Sequence, residues 1–359
     1  MPKQLEMLDA PAADASIRET LPEEAEAPAP HEHTRIAAKP AGEVLPMLRP
    51  WADVCAGVVL GAAIGDAMGH PTEFIDSVAA IRAKYGPEGV TKFELYWDSG
   101  GKHFAPYTDD TQMAEAVLRA LLEAMGHDLD ATMKLMAKKF IAWSLEPQGG
   151  HRAPGNACMN GCEALRHGVH WSKAGGAVAG GCGSVMRAYP FGLVFAHELD
   201  KAEDWAVQHS RLTHNDPIAL AACAAMAVGV ARLSRGESVR AASSEMVAAA
   251  CRHSPTTAAM MATAIDEART GVGPEVTLDR LRAWAAHEAI AAAVYLLERH
   301  PDDARAAILE GANTPGDSDS IATLAGALLG ARVGARGLPA DWVRDVERAD
   351  ELLALALEI

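Results

Sequence analysis

Aromatic residues are scarce in this chain, since seven Trp, five Tyr and six Phe make up only 5% of its 359 residues. Alanine and leucine dominate instead. This balance favours closely packed helices over sheets, whose strands are enriched in aromatic and β-branched residues. Because 49% of the residues are hydrophobic, a body of about 300 residues can bury a large core. We therefore expect an all-α protein.

The cysteines form neither a disulfide framework nor a metal site that the sequence reveals. The six of them include no CxxC pair and no small, loop-rich frame that they would staple. Cys158 and Cys162 are four apart, but no second Cys/His pair with the spacing of zinc ligands follows. We interpret all six as reduced core residues.

Long apolar runs and clusters of basic residues are also missing. No eighteen uninterrupted apolar residues occur, and the first twenty residues lack the apolar core of a signal peptide. The formal net charge of −16 opposes binding to nucleic acid or to anionic lipid, because each phosphate contact requires a local cation. The sequence predicts a cytoplasmic monomer that binds neither nucleic acid nor membranes.

The first 48 residues differ in composition from the rest. They carry seven of the twenty prolines, an acidic run at Glu23, Glu24 and Glu26, and few large apolar groups. Such a composition is typical of a solvated tail, with a partner-binding segment as the alternative. We therefore predict an N-terminal arm over residues 1–48 and one folded domain over residues 49–359.

Glycines recur every fourth residue in two distant segments. Gly57, Gly61, Gly65 and Gly69 share one face of a predicted helix, and 326, 330 and 334 repeat the spacing near the other end of the chain. Between them, residues 111–143, 156–168, 201–233, 240–269 and 276–299 have helical periodicity. If the two small-residue faces pack together, residues some 250 positions apart meet in one site.

Oxygen ligands are concentrated just ahead of two predicted helices. One segment is Tyr107-Thr108-Asp109-Asp110-Thr111 and the other is Gly316-Asp317-Ser318-Asp319-Ser320. Acidic helix caps are the simpler explanation of either segment alone. Four neighbouring carboxylates, however, repel one another unless a positive charge lies among them, and Mg²⁺ or Mn²⁺ suits an all-oxygen set. A third segment carries Asp66 and, beyond a proline turn, Glu73.

The motifs GAAIGDAMGHPTEF, YTDDTQM, GGCGSVMRAYPFGL, LTHNDPIAL and GDSDSIATLAGALLGARVG together resemble the ADP-ribosylglycohydrolase family over about residues 51–335. The resemblance implies an all-α, orthogonal multi-helix bundle with a central dinuclear metal cleft that holds two Mg²⁺ or Mn²⁺ ions. It implies a catalytic domain that hydrolyses the N-glycosidic bond of ADP-ribosylated protein side chains, most notably arginine. The positions that match the family's metal ligands are Thr108, Asp109, Asp110, Asp317, Asp319 and Ser320.

The resemblance also implies roles in catalysis and substrate binding. Asp109 or Glu73 receives the proton of the attacking water, while Asp66 caps or braces the site. The positions that match the family's substrate-binding residues are Gly155, Asn156, Gly183, Ser184, Val185, Met186 and His214. Exposed N–H groups in a Gly/Ser turn suit a pyrophosphate.

Several alternatives remain open at the level of sequence. Arg187 is either part of the ADP-ribose loop or a structural ion-pair partner, and His214 either lines the cleft or is a core histidine bonded to backbone. Linkages to serine, nucleic acid or a metabolite are open alternatives to the arginine linkage. The resemblance also admits an immunity protein whose N-terminal arm binds a cognate ADP-ribosyltransferase toxin, or an inactive scaffold. Loss of any one carboxylate would favour the scaffold, and none is lost.

Overall fold

Helices form nearly all of the regular structure, because alanine- and leucine-rich segments alternate with glycines, prolines and capping residues. The computed structural model describes residues 50–97 and 101–359. Its α-helices are α1 (Pro50–Gly69), α2 (Val78–Tyr85), α3 (Asp109–Glu123), α4 (Leu129–Leu145), α5 (Asn156–Arg166), α6 (Trp171–Ala174), α7 (Tyr189–Val194), α8 (Leu199–Ser210), α9 (Pro217–Ser234), α10 (Val239–His253), α11 (Pro255–Thr270), α12 (Pro274–Arg280), α13 (Ala286–Arg299), α14 (Ala304–Ala312), α15 (Ser318–Val333), α16 (Ala340–Asp345) and α17 (Ala349–Ala356).

The remaining elements are short. Strands β1 (Tyr96–Trp97) and β2 (His103–Phe104) pair antiparallel. Turns of 3₁₀ helix cover His70–Thr72, Cys182–Arg187 and Ala335–Gly337. The expectation of an all-α fold is confirmed.

Four of the segments predicted as single helices are broken in the structure. The break between α3 and α4 contains Gly126 at φ +84°, and Asp128 then caps α4 by accepting a bond from Ala131 N at 2.8 Å. Asp216 and Pro217 start α9 in the same manner, with Asp216 accepting from Ile218 N. The other two breaks separate α10 from α11 and α12 from α13. Apolar periodicity continues through such turns, so it overestimates helix length.

Helices α1 and α15 pack against each other through their glycines, as their spacing predicted. A Cβ atom at Gly61 would lie 2.3 Å from the carbonyl oxygen of Gly326, and one at Gly330 would lie 1.9 Å from that of Gly57. Only glycine permits so close an approach of two backbones. At the end of the same face, a Cβ at Gly69 would lie 2.5 Å from the Cα of Asp319. The pairing therefore brings the end of α1 to the start of α15.

Two helical segments are apolar and long enough to cross a membrane, namely Trp51–Thr72, which covers all of α1 except its first residue, and Pro217–Ser234, which is α9. In their most apolar windows, 83% and 78% of the residues are buried inside the protein. Packing in the core accounts for this apolar character, since a helix that is hydrophobic all round is expected there.

The interpretation of the cysteines as core residues is only partly right. All six are free thiols, and Cys55, Cys158, Cys162 and Cys223 are buried. Cys251, however, is exposed near the end of α10, and the half-buried thiol at position 182 faces polar groups. Every described residue belongs to one compact unit. The predicted arm, residues 1–48, lies outside the described residues.

Candidate metal centre

Two helix N-termini bring the acidic segments together. Asp109 and Asp110 lie in the first turn of α3, Asp319 lies in the first turn of α15, and Asp317 is the N-cap residue of α15. All four are 3–6% exposed. Since α1 and α15 pack so closely, the start of α15 is held beside the end of α1 and the start of α3.

Hydroxyl groups link the two segments directly. Ser320 Oγ donates to Asp110 Oδ2 at 2.9 Å, and Thr108 Oγ1 donates to Asp319 Oδ2 at 3.4 Å. Thr108 also caps α3 by accepting a bond from Asp110 N at 3.3 Å. The carboxylate of Asp317 makes no capping bond. Helix capping therefore explains Thr108 but not why carboxylates from the two segments meet in the interior.

Asp66 braces this arrangement from α1. Its carboxylate accepts bonds from Thr108 N and Thr111 N, each at 2.9 Å, and from Thr111 Oγ1 at 2.6 Å. These bonds satisfy backbone donors at the start of α3, where a negative charge is favourable. Burial, and then the charge of Asp319, raise the pKa of Asp66 to about 6. The structure thus gives Asp66 the bracing position expected from the sequence.

Glu73 reaches the cluster from the turn after α1. Potential ligand atoms of His70, Glu73 and Asp319 all lie within 4.8 Å of one another, and His70 Nδ1 is 3.6 Å from Glu73 Oε2. Burial, followed by the charges of Asp319 and Asp109, raises the pKa of Glu73 to about 10. His70 was not among the predicted site residues. Its position immediately after the glycine stripe was the available signal.

The other carboxylates are destabilised in their charged forms as well. Burial, and next the charge of Asp319, raise the pKa values of Asp109, Asp110 and Asp317 well above the usual range. None of the salt bridges among the described residues includes Asp319 or any of these three aspartates. The cluster therefore needs protons or cations to be stable. Because its donors are carboxylate and hydroxyl oxygens, it fits hard divalent cations such as Mg²⁺ or Mn²⁺.

Cys182 contacts this cluster, which its sequence context did not predict. Its Sγ donates to Asp317 Oδ2 at 2.6 Å and lies 3.5 Å from Ser320 Oγ. Burial and then the charges of Asp317 and Asp110 raise the pKa of the thiol well above its usual range, so it stays protonated and donates. Its placement between glycines in a loop next to a functional motif was the only signal.

The loop that contains Cys182 borders the cluster. Ser184, Val185 and Met186 are buried, and Ser184 Oγ accepts a bond from Ser210 Oγ at 2.9 Å. Their side chains belong to the core, so they have only backbone groups to offer a ligand. At Gly183, a Cβ would lie 2.6 Å from Cys158 Sγ, which explains why this position holds glycine.

Two other predicted substrate residues lie at the start of α5. Gly155 is its N-cap residue, Asn156 is its first residue, and both are exposed. The preceding loop touches the cluster through Arg152, whose carbonyl oxygen accepts a bond from Asp109 N at 3.4 Å. No hydrogen bond between described residues joins the side chain of Asn156 to the carboxylates.

Arg187 and His214 lie behind the loop. Arg187 is fully buried over the ring of Phe140. No salt bridge among the described residues includes it, although its charge partly offsets the rise in the pKa of Asp109. His214 is 2% exposed, and its Nδ1 lies 2.7 Å from Thr213 Oγ1 rather than against a backbone group. Burial, and then the charge of Arg187, lower the pKa of His214 to about 3.

An exposed aromatic pair lies beside Glu73. Phe74 stacks on Trp284 with 5.5 Å between ring centroids, although the two are 59% and 46% exposed. Phe74 has φ +65°, which is unusual for a bulky residue, and its N–H donates to Gly316 O at 3.0 Å. Trp284 also lines a cavity of about 500 Å³ with Gly180, Gly181 and two arginines. In a chain with few aromatic residues, a Phe directly after Glu73 was a usable signal that the sequence analysis missed.

Comparison with known proteins identifies similar chains. A model of the ADP-ribosylglycohydrolase family matches residues 48–359. The chain is 26% identical over 315 residues to the ADP-ribosyl-dinitrogen reductase glycohydrolase of Rhodospirillum rubrum, covering 85% of this chain and 97% of that protein. It is 28% identical over 309 residues to an ADP-ribosylarginine hydrolase of Pseudomonas putida, covering 86% and 78%.

The same fold occurs in a solved structure. An ADP-ribosylglycohydrolase-related protein complex superposes with a TM-score of 0.64 at 24% identity, covering 87% of this chain and 98% of that chain.

Proposed function

The chain belongs to the ADP-ribosylglycohydrolase family, as its motifs predicted, and we propose that it releases ADP-ribose from modified arginine side chains with the help of divalent cations. It is a glycohydrolase that acts on ADP-ribosyl groups. The arginine linkage is supported by the name of the Pseudomonas putida relative, an ADP-ribosylarginine hydrolase.

The observation that carries the cation dependence is the convergence of buried carboxylates that form no salt bridge among the described residues. Asp109 and Asp110 from one segment meet Asp317 and Asp319 from the other, and each is at most 6% exposed. The hydroxyl groups of Thr108 and Ser320 complete this set of oxygen atoms. The residues that would hold the cations are Thr108, Asp109, Asp110, Asp317, Asp319 and Ser320. When bound, such cations supply an acidified water and hold ribose hydroxyl groups.

The chain's own residues provide the proton acceptor. Hydrolysis breaks the bond between C1 of the ribose and the guanidine nitrogen, and the water oxygen bonds to C1. We assign the proton of the water to Asp109 or Glu73, from which it passes to the guanidine nitrogen as the C1–N bond breaks, so that the guanidine leaves protonated. Glu73 suits this role because its carboxylate lies beside Asp319, and bound cations would favour its ionised form, which can accept a proton.

The proposal is tested by a release assay with the full chain. An arginine-ADP-ribosylated protein should lose its label in Mg²⁺ or Mn²⁺ and keep it in chelator. Asp319→Ala should lower turnover at least a hundredfold, whereas Asp341→Ala, on the exposed face of α16, should leave it unchanged. Full turnover by Asp319→Ala in excess Mg²⁺ would refute the assignment.

Substrate linkage is resolved by the same assay. A serine-linked peptide and an arginine-linked peptide of otherwise equal sequence should differ at least tenfold in kcat/KM, with the arginine linkage preferred. Equal rates would refute arginine specificity while leaving ADP-ribosyl hydrolysis intact. We place the enzyme in the cytoplasm, acting on a modified protein. Binding of a cognate transferase toxin by the arm remains a prediction, because residues 1–48 lie outside the described residues.

A further inference from the structure

The peptide bond between Tyr107 and Thr108 is held at both of its polar groups. Its N–H, from Thr108, donates to Asp66 Oδ1 at 2.9 Å, and its carbonyl oxygen, from Tyr107, accepts a bond from Nη1 of Arg152 at 2.6 Å. Because a peptide bond is planar, the two bonds together fix its orientation. This peptide leads directly into the metal-ligand segment, residues 108–110. The segment therefore depends on a side chain from the loop between α4 and α5.

Arg152 shapes its own loop as well. Its backbone carbonyl oxygen accepts a bond from Asp109 N at 3.4 Å, so both its backbone and its side chain contact the segment. Gly149 packs against the guanidinium, since a Cβ there would lie 2.2 Å from Nη2. The same glycine has φ +78°, a conformation that favours glycine. The loop thus folds around the Arg152 side chain before it reaches Gly155 and Asn156.

Glu347 holds the guanidinium in place. Its carboxylate accepts bonds from Nη1 and, at 2.9 Å, from Nη2 of Arg152. Exposed ion pairs contribute little, because water screens them and long side chains lose entropy. Here the two side chains are only 18% and 14% exposed, and a bidentate pair has a defined geometry. Without Glu347, the Tyr107 carbonyl would be the only hydrogen-bond acceptor left to the guanidinium among the described residues.

The stretch after α16 presents Glu347 to the loop through backbone pairing. Ala105 N donates to Asp345 O at 2.7 Å, and Glu347 N donates to Ala105 O at 2.9 Å. The next residue, Arg348, has φ +52° and donates to Tyr107 Oη at 3.0 Å. Residues more than 200 positions apart therefore lie side by side immediately ahead of the metal-ligand segment.

We propose that Arg152 and Glu347 are positioning residues, and that their pairing couples the loop between α4 and α5 to the metal-ligand segment, so that the segment is held in the arrangement that binds cations. The binding of cations rests on the proposed function, whereas the coupling in the cation-free chain does not.

Two substitutions break the pair in different ways. Glu347→Gln keeps the size of the side chain but turns an amide nitrogen, which is a donor, towards a guanidinium that has donors only. Arg152→Lys keeps the charge but loses the fork that binds two acceptors at once. The matched control is Glu298→Gln, which breaks the bidentate pair of Glu298 with Arg269. That pair joins α11 to α13, and neither helix carries a predicted site residue.

The coupling is measured by hydrogen–deuterium exchange of the full chain in chelator. In Glu347→Gln and in Arg152→Lys, peptides that cover residues 148–155 and 107–110 should exchange at least about tenfold faster than in wild type, as expected when hydrogen bonds to a charged group are lost. Glu298→Gln should leave both stretches unchanged. Wild-type exchange rates of both stretches in Glu347→Gln would overturn the proposal, even if that variant is less active.

Cation binding is measured with Mn²⁺ by calorimetry. Glu347→Gln should raise Kd about tenfold, as is usual when a group that orients a metal ligand is lost, while Glu298→Gln keeps the wild-type Kd. Adding Glu347→Gln to Arg152→Lys should raise Kd no further, because the two residues act as one unit. Fully additive effects would overturn the pairing.

If Glu347→Gln does not fold, Arg152→Lys alone decides both measurements. A wild-type Kd for Mn²⁺ in the folded variants would overturn the link to the metal centre while leaving the proposed function intact. A wild type that binds no Mn²⁺ would overturn this link together with the proposed function, and exchange in the cation-free chain would still decide the coupling.

Discussion

Crowding of buried carboxylates should make the cation-free protein less stable as the pH rises. Glu73 has a pKa of about 10 in the fold against an ordinary value of 4.5. Between these values the folded state binds a proton that the unfolded state has released. Stability contributed by this group is thus fully present below pH 4.5 and declines towards pH 10, at about 1.4 kcal/mol per pH unit.

The geometry gives an independent estimate of the same effect. Ligand oxygens of Glu73 and Asp319 lie within 4.8 Å of each other, and two unit charges at that distance repel by about 3.5 kcal/mol at an effective dielectric constant of 20. That repulsion alone corresponds to a pKa increase of about 2.5 units, and burial adds to it. Glu73 should therefore be protonated at neutral pH when no cation is bound.

The substitution Glu73→Gln isolates this contribution. In chelator, urea unfolding of the wild type should show a free energy of unfolding that falls between pH 6.5 and 8.5. The slope in Glu73→Gln should be shallower by about 1.4 kcal/mol per pH unit. Asp66 contributes little in this window because its pKa is only about 6. Glu88→Gln, at an exposed position, is the matched control and should keep the wild-type slope.

Bound cations should reverse this decline of the free energy of unfolding with rising pH. Saturating Mg²⁺ favours the ionised carboxylates, so its stabilising effect should grow with pH, reaching about 2.7 kcal/mol at a hundred times its Kd. Parallel pH profiles of wild type and Glu73→Gln in chelator would refute the reasoning, since Glu73 would then be ionised in the cation-free fold.

Three further substitutions test the scaffold. Asp66→Asn should lower the free energy of unfolding by about 2–3 kcal/mol in urea, because charge-assisted bonds to the start of α3 are lost; no change would exclude the bracing role. Gly61→Ala should lower the free energy of unfolding by more than about 3 kcal/mol, since its Cβ would lie 2.3 Å from Gly326 O. The control is Gly273→Ala, whose Cβ would meet nothing within 4 Å and which should change the free energy of unfolding by less than about 1 kcal/mol. Cys182→Ala should raise the Kd for Mn²⁺ about tenfold, as measured by calorimetry. An unchanged Kd would show that the hydrogen bond from Cys182 does not orient the carboxylate of Asp317.

The sequence predicted the features that follow from local spacing. Glycines every fourth residue in two segments indicated a close helix pair, and the structure has it between α1 and α15. Since Asp317 and Asp319 lie at the start of one of those helices and Glu73 follows the other, the meeting of Asp319 with Glu73 could be anticipated. A stripe of small residues has few ways to bury its backbone, which is why this inference succeeded.

Contacts that lack a local pattern could not be predicted. Cys182 and Asp317 are 135 residues apart, and neither spacing nor periodicity relates them. Helix ends were missed for a different reason. Near Gly126 backbone geometry separates two helices, and at Pro217 capping begins a new one, while the apolar pattern continues through both breaks.

Charge arithmetic favours two cations over one. The four aspartates among the proposed ligands contribute about −4, and Asp66 and Glu73, which interact with Asp319, contribute about −2 when ionised. The N-termini of α3 and α15 each offset about half a charge, and Arg187, whose charge acts on Asp109, offsets about one more, leaving about −4. One divalent cation would leave about −2, which would repel the pyrophosphate of an ADP-ribosyl group, whereas two would leave about zero. The same carboxylates that destabilise the cation-free fold would thus call for two cations, because only then is the repulsion of the substrate removed.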